Sequence, residues 1–433
     1  MRGSPTEATL PAGQPGAAPG YAALLRARPQ VLSFGVLLTL FSSFGQTFLI
    51  SVFVPLFLAS FSLNTAQFGT LYAVATLLSA ASLPYFGRLL DRVALPRFSL
   101  AVGGGLALAC FGLALAPNTA VLFLAVLGLR LTGQGLLSLT AVTTMARVFD
   151  RGRGRALSVT GVGYPLGEGL LPLGVVALVH MVGWRLSWGI LGAVVLLLLL
   201  PLMIWLLRHV PTGGAADERT IAPAARRPGL LRDARFYALL PIGIFLPLVL
   251  TALFLYQVPL AASRGWSLQV MASAFVGFAV ARLVGSLAIG PLIDRYAARR
   301  LFPLILVPVS VGLVALSLGT APSIAFVYLF LAGVSQGIAG PVMTALWAEV
   351  YGVASLGATK GTVATIGVFA TALGPAMLGA LLNAGVPFAV IIPGCAGLGL
   401  MIVVFSLLVR GRLVAAADLH RSPGAAPCPQ AGV

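Results

Sequence analysis

The run GRLLDRVALPRF, Gly87 to Phe98, returns 203 residues later as GPLIDRYAARRLF, Gly290 to Phe302. Each copy is a charged knot between two apolar stretches long enough to cross a bilayer. A lone Gly-x-x-x-Asp-Arg is a weak signal, but here the neighbours repeat with it. Pro55-Leu56 returns at Pro259-Leu260, Ser62-Leu63 at Ser267-Leu268, and Gly133-Gln134-Gly135 at Ser335-Gln336-Gly337. Echoes held in register imply two homologous halves. That is the architecture of many secondary transporters, whose substrate site lies between halves that rock against each other.

Composition agrees. Of 433 residues 59% are hydrophobic and 9% charged, whereas about a quarter of a soluble domain is charged. A hydrocarbon core of about 30 Å takes roughly 20 helical residues to cross. The pattern supplies twelve such spans, at 33–59, 68–86, 98–116, 121–145, 156–180, 187–207, 236–261, 270–290, 302–319, 324–347, 358–382 and 387–409. The expected class is an all-α polytopic membrane protein of two pseudo-symmetric six-helix bundles. The expected organisation is a disordered tail over 1–30, a first bundle over 31–208, a linker over 209–235, a second bundle over 236–412 and a disordered tail over 413–433. The first thirty residues lack the short apolar core and cleavage site of a signal peptide.

The net charge of +17 does not point to nucleic acid, because the basic residues lie on one side of the membrane. With the amino terminus inside, only Arg185 and Arg264 fall in outward loops. Loops rich in Lys and Arg stay cytoplasmic, so both termini are expected inside, in a bacterial inner membrane. Cys110, Cys395 and Cys428 form no disulfide framework.

Buried polar groups mark the candidate site. In span one Ser42, Ser43, Gln46, Thr47 and Ser51 need partners that lipid does not offer, and helix packing explains the Ser and Thr equally well. Arg130 in span four lies roughly 13 Å below the outer surface at 1.5 Å per residue. An intramembrane Arg is a functional candidate by default; the alternative is that it holds helix ends through backbone carbonyls. Span five (GVGYPLGEGLLPLG) lacks the strand and spacing of a dinucleotide loop and reads as a closely packed helix. It places Tyr164 and Glu168 near the midplane. Glu168 is a candidate proton carrier, or else a permanent neutraliser of Arg130. In span seven Tyr256 and Gln257 are candidate substrate ligands near the outer surface, and Tyr256 fits an interfacial aromatic equally well. Arg282 in span eight offers a fork that fits a carboxylate; the alternative is a structural pair with Glu168.

At the knots, Asp91 is expected to cap a helix while Arg92 pairs with an acid, Asp150. In the second half Asp294 and Arg295 correspond, with Glu349 as the acid beside Arg295. Such contacts would latch the halves on the cytoplasmic side; the bland alternative is that the charges only set topology.

These motifs resemble the major facilitator superfamily. GRLLDR and GPLIDR match its loop signature after spans two and eight, and RLTGQG its span-four signature. The resemblance implies two six-helix bundles, a central cavity and alternating access, with a cytoplasmic gate motif at Gly87, Asp91, Arg92 and Gly290, Asp294, Arg295. VGWRLSWGILG, FLYQVPL, VARLVGSLAIGPLIDR and WAEVYG look like its monocarboxylate and oxalate–formate branch, where the span-eight Arg serves substrate or coupling; Arg282 matches it. Phe278 stands where animal monocarboxylate carriers have an Asp, and Lys360 lies nearer the cytoplasmic end than the span-eleven Lys of oxalate–formate carriers.

No G-x-x-x-x-G-K-[ST] loop occurs, so ATP does not drive the chain directly. Three His without a Cys/His cluster call for no metal, and no cofactor is indicated. The expected function is proton-coupled carriage of a small organic anion, a monocarboxylate, by a monomer: Arg282 binds the carboxylate, Glu168 and Arg130 handle charge and protons, and Tyr164, Tyr256, Gln257 and Gln46 orient the ligand. The alternatives are a proton-driven exporter of drugs or amphiphiles, and a membrane sensor.

Overall fold

A computed structural model of the chain describes residues 21–149, 152–210, 230–352 and 356–419, all helices and short connections, with no strand among the described residues. In hydrocarbon every backbone N–H and C=O must be satisfied within the segment, which leaves helices as the solution for so apolar a chain. Among the described residues ten helices are long and apolar enough to cross a membrane. One of them, Arg153–Leu207, is 55 residues long, more than twice what one crossing takes, and is broken by non-helical backbone at Gly183 (φ 75°, ψ 168°), so it is spans five and six joined. Only glycine takes that backbone conformation without strain. Span one is broken into Pro29–Gly45 and Thr47–Phe61, which brings the spans to twelve.

The other spans are two (Thr65–Arg92), three (Leu95–Ala114), four (Thr119–Val148), seven (Ala234–Leu255 and Gln257–Ser263), eight (Leu268–Tyr296), nine (Ala298–Leu318), ten (Ser323–Tyr351), eleven (Leu356–Asn383) and twelve (Phe388–Leu419). Four of them start at a side-chain cap. Asn64 accepts from the Gln67 N–H while Gln67 reaches back to the Asn64 N–H, and Asn118, Asp233 and Ser267 cap spans four, seven and eight. Each cap satisfies a first-turn N–H that the helix leaves free.

Within the second half span eight packs along span ten, and span nine lies on ten and twelve. Between the halves, span two lies along span eleven and span five along span eight. Below, the side of the bundle that carries the two knots is the knot side, and the opposite one the far side.

Three expectations need correction. The amino-terminal tail was placed at 1–30, yet Tyr21–Ala27 is a helix, Pro29 starts span one, and Leu24 is buried. At the other end span twelve runs to Leu419, past the expected limit at 412, where five of the seven residues of LVAAADL are Leu or Ala, the best helix formers. At the linker's end the helix starts at Ala234, with Asp233 as its cap. Asp150 and 211–229 lie outside the described residues.

Candidate functional site

Span one does not cross as one helix. Ser42–Gly45 tightens into a 3₁₀ turn, Gln46 is extended (φ −81°, ψ 151°), and the helix restarts at Thr47. Facing this break, span four widens over Leu129–Leu137 into a π-helix, a coil common at functional sites. The two irregular segments interlock closely. A Cβ on Gly45 would lie 2.1 Å from the Leu129 carbonyl oxygen, and one on Gly133 2.8 Å from the Gly45 nitrogen. Non-helical backbone at this depth is tolerated because protein surrounds it.

Arg130 stands inside that joint, 3% exposed. Its Nη1 donates to the Gly45 carbonyl (3.1 Å), and its guanidinium carbon lies 4.9 Å from the centroid of the Tyr72 ring. The Tyr72 hydroxyl is in turn bonded to Thr47 Oγ1 (2.6 Å), across the break. Arg130 Nε has no partner, and no carboxylate pairs with this arginine among the described residues. Arg130 thus donates to a carbonyl at the place where a helix ends. The reading in which Glu168 neutralises it does not hold in this structure.

Glu168 instead pairs with Arg282. Arg282 Nη1 donates to Glu168 Oε1, joining span five of one half to span eight of the other. The Glu168 side chain is 11% exposed and that of Arg282 26%, and Glu168 Oε2 has no partner. Close approach of the helices makes the pair possible, since a Cβ on Gly169 would meet the Ala279 Cβ at 3.4 Å. The pair is the only ionic bond between the halves among the described residues. Such a bond is sensitive to competitors: the guanidinium has donors to spare, its partner has an unmet acceptor, and both charges are partly withdrawn from water.

Tyr164, half-buried, lies one turn from Glu168 on the same face of span five. Gln46 is half-buried at the break; its carbonyl accepts from the Leu49 and Ile50 N–H groups, while its side chain bonds to no described residue. The structure thus puts Glu168, Arg282 and Tyr164 together, with Gln46 and Arg130 at the adjoining break. Ser43 links the two groups by packing against Gly167, next to Glu168.

Tyr256 and Gln257 are elsewhere and already engaged. The Tyr256 hydroxyl donates to the Thr65 carbonyl (2.6 Å), and Gln257 Nε2 to Ser51 Oγ (2.6 Å) and the Phe48 carbonyl (3.2 Å). Each of these bonds joins one half to the other. Sequence reasoning missed Tyr72 and Thr65, for which no motif exists.

The knots also differ from expectation. Asp91 caps no helix; it pairs with Arg147 of its own half (2.5 Å), with both side chains well exposed (65% and 43%). Arg92 has no acidic partner among the described residues. Glu349 does not pair with Arg295 either: it accepts from the Ala298 and Arg299 N–H groups (2.8 and 3.1 Å) and so caps span nine. First-turn N–H groups are fixed donors at the positive end of a helix dipole, a better partner than a solvated guanidinium. Arg295 lies over the Tyr296 ring and Asp294 is exposed. Gly87 and Gly290 touch nothing closely; the nearest atom to a Cβ on Gly87 would be 4.0 Å away. The Asp91 pair and the Glu349 cap thus each stay within their own half.

Comparison with known proteins agrees with this architecture. No curated protein matches the chain. Among solved structures, the inward-facing, unoccupied form of a bacterial homologue of the human lysosomal transporter Spinster superposes with a TM-score of 0.66 at 16% identity, covering 93% of this chain and 99% of that one. The nucleoside transporter NupG superposes with a TM-score of 0.66 at 12% identity, covering 90% and 98%. At such identities the likeness is one of fold. The profile of the Major Facilitator Superfamily matches residues 35–260 and again 242–429, once for each half: the chain belongs to that superfamily and is a membrane transporter, not an enzyme.

Proposed function

We propose that the protein is a secondary carrier of a small organic anion, a monocarboxylate, and that the anion binds by taking the place of Glu168 on Arg282. The observation that carries this reading is the ion pair itself. A guanidinium between the halves, held by a single carboxylate oxygen, presents the geometry that a substrate carboxylate needs. The displaced Glu168 is left in a poorly hydrated place without its cation, and a proton is the simplest neutraliser, which makes transport proton-coupled. Because substrate and Glu168 compete for a group that joins the halves, binding also acts on the equilibrium between the two openings of the carrier.

Glu168 is engaged by a cation, which favours an anion over the lipophilic cation of a drug exporter. The basic residues of the described loops gather on the knot side, with Arg185 and Arg264 alone on the far side. This supports cytoplasmic termini in a bacterial inner membrane. One chain supplies both bundles, so a monomer suffices.

Uptake of labelled lactate, formate and acetate into proteoliposomes at controlled pH tests the reading. Wild type should accumulate at least one of them under an inward proton gradient, Arg282→Ala should abolish uptake, and Glu168→Gln should remove its pH response. A pH response unchanged in Glu168→Gln ends the proton assignment. Transport that survives Arg282→Ala ends the anion assignment.

A further inference from the structure

We infer that Tyr256, Gln257 and Thr65 form a latch of neutral hydrogen bonds that closes the far side of the carrier, rather than a substrate seat. Five observations converge on it. First, besides the Glu168 pair, four hydrogen bonds between the halves gather here: Tyr256 to the Thr65 carbonyl, Thr65 Oγ1 to the Gly379 carbonyl (2.9 Å), and Gln257 to Ser51 and Phe48. Second, the groups belong to four different spans, seven, two, eleven and one, so the bonds tie together the elements that must separate for the far side to open.

Third, the seam admits no spare atom. A Cβ on Gly379 would lie 2.4 Å from the Tyr256 hydroxyl and 2.5 Å from the Thr65 carbonyl, and one on Gly69 2.7 Å from both the Tyr256 hydroxyl and the Pro375 carbonyl. Fourth, Tyr256 is the hinge of span seven, between Ala234–Leu255 and Gln257–Ser263, with non-helical backbone (φ −105°, ψ 24°). A hinge at the latch lets the outer piece swing while the inner piece stays packed. Fifth, the Phe48 and Phe275 rings meet across the halves at 6.1 Å, beside the Gln257 bond to Phe48.

Neutral bonds suit the task. A buried ion pair is expensive to expose and re-form, whereas neutral groups exchange protein partners for water at a net of about one hydrogen bond's stabilisation each. The ionic bond at Glu168 then answers to substrate, and the neutral bonds above it set how firmly the far side stays shut.

The labelling test needs no substrate, so its outcome is independent of the anion reading. In a full-length chain with Cys110, Cys395 and Cys428 replaced by Ser, Phe275→Cys is labelled from the far side with a membrane-impermeant maleimide. Tyr256→Phe removes only the hydroxyl and its one bond, and should raise the labelling rate about fivefold, the shift expected for one neutral hydrogen bond; Gln257→Leu removes the amide and both of its bonds, and should raise it more. Gly379→Ala wedges the seam without removing any bonding group and should raise it further. Should that variant fail to fold, Tyr256→Phe decides alone. Unchanged labelling in Tyr256→Phe and Gln257→Leu overturns the latch.

Discussion

Spans four and ten carry the same three-residue echo and put it to opposite uses. In the first half Gly133-Gln134-Gly135 lies in the widened coil, where the missing side chain of Gly133 admits the broken backbone of span one and Arg130 satisfies the freed Gly45 carbonyl. In the second half Ser335-Gln336-Gly337 lies in a regular helix. Ser335 Oγ accepts from the Val309 N–H (2.9 Å), supplying a partner at the start of the main part of span nine, and Gly337 lets span ten rest on the Arg282 backbone of span eight. One copy accommodates a break and the other mends one. Duplication has kept the helix packing while the charges diverged: Arg130 and Glu168 in one half, Arg282 in the other. The ion pair at the centre therefore needs both halves.

The largest effect on this asymmetry should come from unpairing the centre. Arg282→Met leaves Glu168 as an uncompensated buried charge and should cost about 3–5 kcal/mol, toward the lower end because Arg282 keeps some contact with solvent. Adding Glu168→Gln should return most of it, and thermal unfolding of the purified protein around the double-mutant cycle checks this. If the double variant is no more stable than the single one, the pair is not the link between the halves.

Next come the two glycine contacts. Gly337→Ala sets a Cβ 2.3 Å from the Arg282 carbonyl oxygen and Gly133→Ala one 2.8 Å from the Gly45 nitrogen, so both overpack, at about 1–3 kcal/mol. Gly337→Ala should be the more damaging by melting temperature, since a straight helix pair has less room to shift than a joint that is already irregular. Ser335→Ala leaves the buried Val309 N–H without its partner, for about 1–3 kcal/mol.

The smallest effects belong to the knots, where again the halves differ. Asp91→Asn breaks an exposed pair worth at most about 1 kcal/mol, and less in high salt. Glu349→Ala uncaps a helix and should cost about 1 kcal/mol at any ionic strength. Melting curves at low and high salt separate the two.

Much of this was legible in the chain. Spans announce themselves because lipid demands about 20 apolar residues, and the two knots fix the repeat. Arg282 and Glu168 stand out as charges at the midplane. Their partnership was left open, since depth along a helix does not tell which face meets which neighbour; Arg130 and Arg282 were both within reach of Glu168. The break at Gln46 was hidden because Ser-Ser-Phe-Gly-Gln is compatible with a helix, and only the tight fit against span four bends it. Tyr256 and Gln257 read as ligands for a related reason: a polar side chain near a membrane surface looks the same whether it awaits a substrate or bonds to the other half. Glu349 has a nearby arginine in the sequence, whereas its real partners, two backbone N–H groups, carry no sequence signal.

The central claim is that an anion and Glu168 compete for Arg282, and titrating lactate against the melting temperature of wild type and Glu168→Gln at neutral pH tests it most directly. Removing the competitor should tighten binding by at least about tenfold, roughly 1.4 kcal/mol. Binding weaker than wild type, or unchanged, would contradict the account.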